Sequence, residues 1–304
     1  MLQRFTEAAL ELLEKKEKYT GYMKGFDNRN SFSKTDRDAT FMHMKEDHMR
    51  NSQLKPGYNL QIAIENGYAV GLDISSERSD MYTLIPLLDR IEKNFPAHRF
   101  ENIVCDAGYE SEENYAYLNG REYVSYIKPS NYEALKKRNV KKQIGQRENM
   151  RYDPEKDEYI CAKGRRLKMV GVTTDKRRRS RYPVEVTIYE CVNCNRCGLK
   201  KQCTKSNNAK RLKVSKAFVH YRGQSHINIT SDKGIILRVN RSIQAEGAFG
   251  MIKEDYNFRR FLTRGKANVF VECLLMFFAY NVNKLHNKNM GRGNKEILYT
   301  PKAA

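Results

Sequence analysis

A carboxylate ends an apolar run in the stretch ENIVCDAGYESEE. Ile103, Val104 and Cys105 predict a buried strand, and Asp106 follows them directly. Open α/β sheets present their active sites at the carboxyl ends of strands, so Asp106 is a candidate catalytic residue. Asp-x-Gly is also common in turns, and the alternative is that Asp106 only caps the turn that follows. The stretch by itself leaves both interpretations open.

A second candidate carboxylate lies in RSIQAEGAFGMIKEDY. Glu246 and Lys253 are seven residues apart, which places them on one face of a continuous helix. Ala248 and Ile252 belong to the apolar stripe beside them. The alternative is an ordinary solvated helix face.

Cysteine spacing indicates a metal site. CVNCNRCGLKKQC holds four cysteines within 13 residues, and YICAKG holds another upstream. Pairs separated by two residues let two thiolates reach one tetrahedral Zn²⁺, and a structural site takes four ligands. We therefore expect zinc bound by Cys194, Cys197 and Cys203, with Cys191 or Cys161 as the fourth ligand. The alternative is a set of reduced thiols without a metal ion.

The chain is strongly basic, with 56 Lys and Arg against 36 Asp and Glu and a formal net charge of +20. Basic clusters lie in KKRNVKK, KGRRLK, DKRRRSRY and NAKRLKVSK, with tyrosines between them. Such a surface attracts polyanions, most often nucleic acid. DKRRRSRY makes Arg177, Arg178 and Arg179 candidate DNA-binding residues. The alternative is a generic basic surface.

No apolar run approaches the ~18 residues that a membrane helix needs. The longest, residues 269–282, carries Glu272 and predicts a buried helix. The N-terminal pattern is amphipathic and unlike a signal peptide. We therefore expect a cytoplasmic protein of a prokaryote without a membrane partner, in which the cysteines are reduced.

Hydrophobic periodicity and turn residues predict the elements that must position these groups. Asn66-Gly67 predicts a hairpin turn, and Ser79 or Asp80 and then Ser111 predict helix N-caps. Residues 19–57 show little periodicity and predict an extended or irregular segment. Helices are predicted at 2–18, from 79 and from 111, and as two further helices after 235; strands are predicted at 58–64, 68–74, 102–105 and 121–129.

Several stretches together resemble a known family. They are SKTDRDAT, KPGYNLQIAIENGYAVG, IVCDAGYESEENYAYL, the cysteine cluster and LRVNRSIQAEGAFGMIKEDYNFRRFLTRGKANV, and they extend from about residue 30 to 287. The chain resembles the DDE transposases of bacterial insertion sequences, in the branch with a cysteine-rich, zinc-ribbon-like insertion.

This resemblance implies an RNase H-like α/β fold, a mixed sheet with helices, interrupted by a basic cysteine-rich insertion. The implied parts are an N-terminal helix and linker at 1–57, the first part of the catalytic core at 58–129, the insertion at 130–235, C-terminal helices that complete the core at 236–287 and a flexible tail at 288–304.

The resemblance also implies two Asp and one Glu that bind two Mg²⁺ ions for phosphodiester cleavage and strand transfer. Asp106 matches the second Asp and Glu246 matches the Glu. Lys253 follows Glu246 at the family's spacing and is implied to contact DNA near the transposon end. The family's Arg lies four positions before the Glu; Ser242 occupies that position here, and Arg241 lies one place away.

The first Asp of the family lies in an Asp-Gly-Thr-type stretch, which does not occur in this sequence. Asp36, Asp38 and Asp73 are not expected to replace it. We therefore expect an N-terminally truncated copy that does not cleave or join DNA alone, derived from a full-length form that is a homodimer on transposon ends and target DNA.

Two other functions stay open at this point. One is a non-catalytic, zinc-containing protein that still binds DNA through its basic insertion. The other is an RNase H-like nuclease that prefers branched DNA or RNA–DNA hybrids.

Overall fold

The structure is a computed structural model that describes residues 2–27, 29–44, 52–176, 182–292 and 298–299. It is a mixed α/β protein, as predicted. Within the described ranges, none of the helices combines the length and the apolar content that a membrane crossing requires.

The chain divides into two compact units. The first comprises Met1–Ala97 and Ser242–Leu298, and the second comprises His98–Arg241 and Tyr299–Ala304.

The first unit is built from a helical N-terminus, two antiparallel strand pairs and helices from both ends of the chain. Strand β1 pairs with β2, and β3 pairs with β4. Its elements are α1 (Leu2–Gly25), β1 (Thr40–His43), β2 (Leu54–Gly57), β3 (Asn59–Glu65), β4 (Tyr68–Ser75), α2 (Leu84–Asn94), α9 (Lys266–Asn289) and the end of α8 (Asp232–Gly250).

The β3–β4 hairpin forms where the Asn-Gly pair predicted it. Asn66 and Gly67 both have positive φ, +50° and +83°, as the tight turn requires. The predicted apolar face of α2 is also confirmed, since Leu84, Leu87 and Leu88 are buried. Side chains from β4, the end of α8, the turn that follows it and α9 form the core: Leu72, Ile74, Ala248, Ile252, Val269, Cys273, Phe277 and Tyr280.

The prediction of an extended or irregular segment at 19–57 was wrong for its first residues, which are helical, and it did not specify the strand pairing. Helix α1 continues to Gly25, and β1 and β2 form an antiparallel pair with Thr40 opposite Gly57 and Phe41 opposite Pro56. Each strand has only four residues and β2 contains proline, so neither has a readable period.

The second unit joins a small parallel sheet to a larger antiparallel sheet. Strands β5 and β6 are parallel, with α3 between them in sequence, and the antiparallel sheet has the order β11-β10-β9-β8-β7. Its elements are β5 (Asn102–Cys105), α3 (Glu112–Gly120), β6 (Val124–Ile127), α4 (Tyr132–Lys136), α5 (Arg138–Lys141), β7 (Arg151–Asp153), β8 (Glu158–Ile160), β9 (Arg166–Lys176), β10 (Pro183–Cys191), α6 (Lys200–Cys203), β11 (Arg211–Val214), α7 (Lys216–Thr230) and the start of α8.

The antiparallel sheet has its own apolar core. Strands β9 and β10 pair from Pro183 opposite Lys176 to Cys191 opposite Leu167. Alternate side chains of β10 point to the buried face, as expected for a half-buried strand. The core consists of Met150, Tyr159, Leu167, Tyr189, Cys191, Leu212 and Val214.

Candidate active site and cysteine cluster

Asp106 directly follows β5 and begins a 3₁₀ turn at Ala107–Tyr109. Its Oδ1 accepts a hydrogen bond from Gly108 N at 2.9 Å, so the capping role that the sequence allowed is present. Its Oδ2 lies 3.2 Å from the guanidinium of Arg241. These two contacts orient the carboxylate. The side chain is 47% exposed, so the carboxylate is also accessible to a ligand.

The loop after Asp106 is anchored by a buried ion pair. Glu110 is 1% exposed at its side chain and accepts two hydrogen bonds of 2.7 Å from Arg222 on α7. Ser130 N donates a further bond of 2.8 Å. Burial alone would raise the pKa of Glu110, but Arg222 and Ser130 hold that pKa below its ordinary value. No local pattern predicted this pair, because its members are 112 residues apart.

Helix α7 also completes the edge of β6. Ser225 Oγ donates to Ile127 O at 2.8 Å and accepts from Ile127 N at 3.0 Å. Asn228 Nδ2 donates to Ser125 O at 3.0 Å. Because side chains satisfy the strand's outer backbone groups, α7 holds β6 and its neighbour β5 in place.

Glu246 lies on α8 in the first unit, on the exposed side, and has no hydrogen-bond or salt-bridge partner among the described residues. Two residues earlier, Gln244 Oε1 accepts from Gly67 N at 3.0 Å and ties α8 to the hairpin turn. Asp106 belongs to the second unit.

Lys253 does not lie on a continuation of the same α-helix, as the spacing predicted. Residues Met251–Asp255 form a π-helical turn, in which Tyr256 N donates to Met251 O. The i→i+5 bonds change the rotation per residue, so the α-helical period alone does not place Lys253 on the face of Glu246. Single π turns within helices often accompany functional sites.

The acids of SKTDRDAT have a structural role. Asp36 accepts from Tyr58 Oη at 2.8 Å and from Gly265 N at 3.1 Å, and Asp38 accepts from Lys266 N at 2.8 Å. Both carboxylates therefore bind the N-terminus of α9, where unpaired N–H groups favour negative charge.

Burial and the bond to Asp36 raise the pKa of Tyr58 above its ordinary value, which keeps this donor protonated. Asp73 is also committed to a partner, since Arg90 donates to it at 2.9 Å. Each of these three acids therefore has a structural partner within the chain.

The five candidate zinc ligands line one pocket together with apolar Ile144 and Leu199. They come from the β8–β9 turn, the end of β10, the loop after it and α6: Cys161, Cys191, Cys194, Cys197 and Cys203. Across the described residues, however, no three His, Cys, Asp or Glu side chains stand in an arrangement that could hold a metal ion.

The backbone around these thiols is nevertheless shaped into turns. Lys210 N donates to Cys194 Sγ at 3.4 Å, and Arg196, between Cys194 and Cys197, has a positive φ of +49°. In the other turn, Gly164 N donates to Cys161 O at 2.8 Å.

Cys191 differs from the other four cysteines. It is 3% exposed and belongs to the apolar core of the sheet, and its Sγ donates to Asn193 O at 3.6 Å. Burial and the neighbouring Cys194 raise the pKa of Cys191 to about 11. The other four thiols are half-buried.

The candidate DNA-binding residues Arg177, Arg178 and Arg179 lie outside the described residues, between β9 and β10. In sequence, this basic segment connects the end of β9 at Lys176 to the start of β10 at Pro183. On β9, Met169, Val170 and Val172 are each more than half exposed.

Comparison with known proteins gives one family match. Residues 160–286 match the family model described as the transposase DDE domain. The matched range begins at the end of β8 and includes the cysteine cluster, α7, α8 with Glu246, the π-helical turn and most of α9. No curated protein and no solved structure matches the chain. The match supports a transposase-type function, for which the substrate is DNA.

Proposed function

We propose that this protein is a DDE-class transposase of a bacterial insertion sequence, which binds transposon-end and target DNA. The family match over residues 160–286 carries this proposal, because that range includes Glu246 and Lys253. The net charge of +20 supports it, since phosphate binding requires many Lys and Arg.

We also propose that the two units contain the parts of an RNase H-like core. The order of an antiparallel hairpin, a helix, a strand, a helix and a parallel strand from β3 to β6 agrees with this interpretation. The antiparallel sheet β7–β11 and the cysteine pocket would then be the insertion.

The proposed catalytic ligands are Asp106 and Glu246, and their chemistry fits Mg²⁺, which prefers carboxylate oxygens and keeps several waters. A carboxylate oxygen can accept more than one bond, so the contacts of Asp106 with Gly108 and Arg241 leave acceptor capacity for an ion. Bound Mg²⁺ would activate a water or 3′-hydroxyl and stabilise the leaving oxygen.

The residues of this chain have three roles in that mechanism. Gly108 and Arg241 orient the Asp106 carboxylate, and Glu110 with Arg222 fixes the loop that carries it. Glu246 provides an accessible carboxylate on α8. Lys253 provides a cation for a phosphate of the transposon end.

Two carboxylates are one fewer than the triad that the resemblance implies. We therefore propose that this chain alone binds DNA without cutting or joining it. Purified protein would be incubated with DNA carrying candidate transposon ends and Mg²⁺ or Mn²⁺, and strand cleavage would be followed on a denaturing gel. Metal-dependent cleavage that disappears in Asp106→Ala would contradict this part of the proposal.

DNA binding is the part of the function that this chain should retain. Binding would be measured by fluorescence anisotropy over a range of salt concentrations. Each phosphate contact contributes a slope of roughly −0.9 in log affinity against log salt. We expect the triple variant of Arg177, Arg178 and Arg179 to Gln to reduce the magnitude of this slope by about 2–3.

The matched control removes three charges elsewhere, by changing Lys15, Lys16 and Lys18 on the exposed helix α1 to Gln. It should change the slope by less than about 1. Equal effects of the two triple variants would show that the charge is generic, and binding without salt dependence would contradict the proposal.

We propose further that Zn²⁺ binds four thiols, Cys161, Cys194, Cys197 and Cys203. The pocket and its two turns support this set, although among the described residues no three such side chains stand in an arrangement that could hold the ion. Cys191 is left out because it packs in the apolar core.

Zinc content of purified protein would be measured by elemental analysis. The proposal predicts one equivalent, lost in Cys197→Ser and retained in Cys191→Ala. Absence of zinc, or its retention in Cys197→Ser, would contradict the proposed site.

A further inference from the structure

One face of α9 is apolar and exposed. Between Val271 and Leu285, all of which the structure describes, every residue classed as exposed is apolar. Apart from Ala279, the exposed fractions of the side chains lie between 49% and 68%: Val271, Leu274, Leu275, Phe278, Val282 and Leu285. We call these six residues the α9 stripe.

The α9 stripe is distinct from the side of α9 that packs in the core. Val269, Cys273, Phe277 and Tyr280 on the other side of the helix are buried in the core of the first unit. That side is already packed, so the α9 stripe is a second, exposed face of the helix. Its apolar area is on the order of 600 Å², at the upper end of what a typical monomer exposes in one patch.

Spacing and charge indicate what covers it. Val271, Leu275, Phe278, Val282 and Leu285 follow one another at intervals of four, three, four and three residues, the spacing of a helix–helix seam. No exposed residue of this fully described segment is charged, so it offers nothing to phosphate. An apolar seam is also where two chains of charge +20 approach with least repulsion.

The pattern reads nearly the same in both directions from Phe278. Val271 and Leu285 lie seven residues to either side, and Leu275 and Val282 lie three and four residues away. Such a surface is self-complementary under a two-fold axis. Two copies would bury on the order of 1,200 Å² in total, at the lower end of the range for stable interfaces.

We propose that the α9 stripe is a homodimer interface, in which α9 helices of two copies pack antiparallel and Phe278 of each copy lies at the two-fold axis. This inference rests on the homodimer expected for the proposed transposase and assigns its surface. Residue 275 of one copy then faces residue 282 of the other, and the seam is about 21 Å long.

Sedimentation velocity without DNA or metal ions tests this interface separately from DNA binding and catalysis. At micromolar concentration and high salt, wild-type protein should sediment as a dimer, at twice the 35.6 kDa chain mass. Phe278→Glu should sediment as a monomer with an unchanged circular dichroism spectrum. Val170→Glu, a change at a similarly exposed apolar residue on β9, should remain a dimer.

Mixing two variants tests the antiparallel register. Leu275→Glu and Val282→Lys should each be monomeric, and an equimolar mixture should form dimers because the new charges face each other. A monomeric wild type, or a dimer that survives Phe278→Glu, would overturn the proposed interface. A dimer that survives Phe278→Glu would indicate that another exposed apolar surface, such as that of α1, forms the interface. A mixture that stays monomeric would overturn the antiparallel pairing.

Discussion

Replacing Arg222 with Met should strongly destabilise the second unit. The variant keeps an apolar stem against α7 but leaves the Glu110 carboxylate, which is 1% exposed, without its bidentate partner. Removing one member of a buried ion pair costs about 3–5 kcal/mol. For a unit of this size, that loss lowers Tm by roughly 6–20 °C.

The pH dependence gives a more specific test. In the wild type, the pKa of Glu110 is below its ordinary value, so the pair stabilises fully above the unfolded-state pKa, and this contribution is lost as pH falls through the folded-state pKa. In Arg222→Met, burial without a partner raises the pKa of Glu110. As pH falls, protonation of Glu110 therefore removes the free-energy cost of a buried, unpaired charge. The stability gap between the two proteins should therefore narrow between pH 7 and about pH 4.

Thermal and urea unfolding would be followed by circular dichroism, with hydrogen exchange of α7 and the loop after β5 as a local probe. Arg99→Met is the matched control, because it breaks a pair with Glu122 in the same unit in which both side chains are mostly exposed. It should leave Tm nearly unchanged. If Arg222→Met were no more destabilising than Arg99→Met, or if the gap did not depend on pH, the account of this anchor would be wrong.

Three further changes test other contacts. Asp36→Ala removes an acceptor from the N-terminus of α9 and should cost about 1–2 kcal/mol in urea unfolding; an unchanged midpoint would contradict the capping role. Gly145→Ala would place a Cβ 2.0 Å from Cys203 O, so we expect lower stability and reduced zinc content. Its control, Gly21→Ala on exposed α1, meets no atom within 4 Å and should leave both unchanged or raise stability slightly. Ser225→Ala leaves two backbone groups of β6 unpaired and should cost about 1–3 kcal/mol, with faster hydrogen exchange in β6; wild-type exchange would refute the edge-capping role.

The elements predicted correctly are those with local signals. The hairpin turn follows from Asn66-Gly67, and the start of α3 follows from Ser111, which accepts from Asn114 N as an N-cap. The start of α2 was only approximately predicted. Ser79 caps a 3₁₀ turn at Asp80–Tyr82, and the α-helix begins at Leu84.

The features that the sequence did not predict depend on distant contacts or on local geometry without a composition signal. The β1–β2 pair and the Glu110–Arg222 ion pair join segments whose complementarity is visible only after folding. The π-helical turn at Met251–Asp255 follows an unbroken helical pattern, so the period suggested that the α-helix continues. Asp106 was recognised as a candidate from its position after a strand, but its contact with Arg241 was not expected from the residues.

Iron-directed cleavage tests most directly the proposal that Asp106 and Glu246 are metal ligands. Fe²⁺ would replace Mg²⁺, and ascorbate with peroxide would then cut the backbone near the bound ion. We expect Mg²⁺-suppressible cuts near Asp106 that Asp106→Asn abolishes, and Mg²⁺-suppressible cuts near Glu246 that Glu246→Gln abolishes. Cuts that persist in these variants, or no Mg²⁺-sensitive cleavage near either residue, would contradict the proposal.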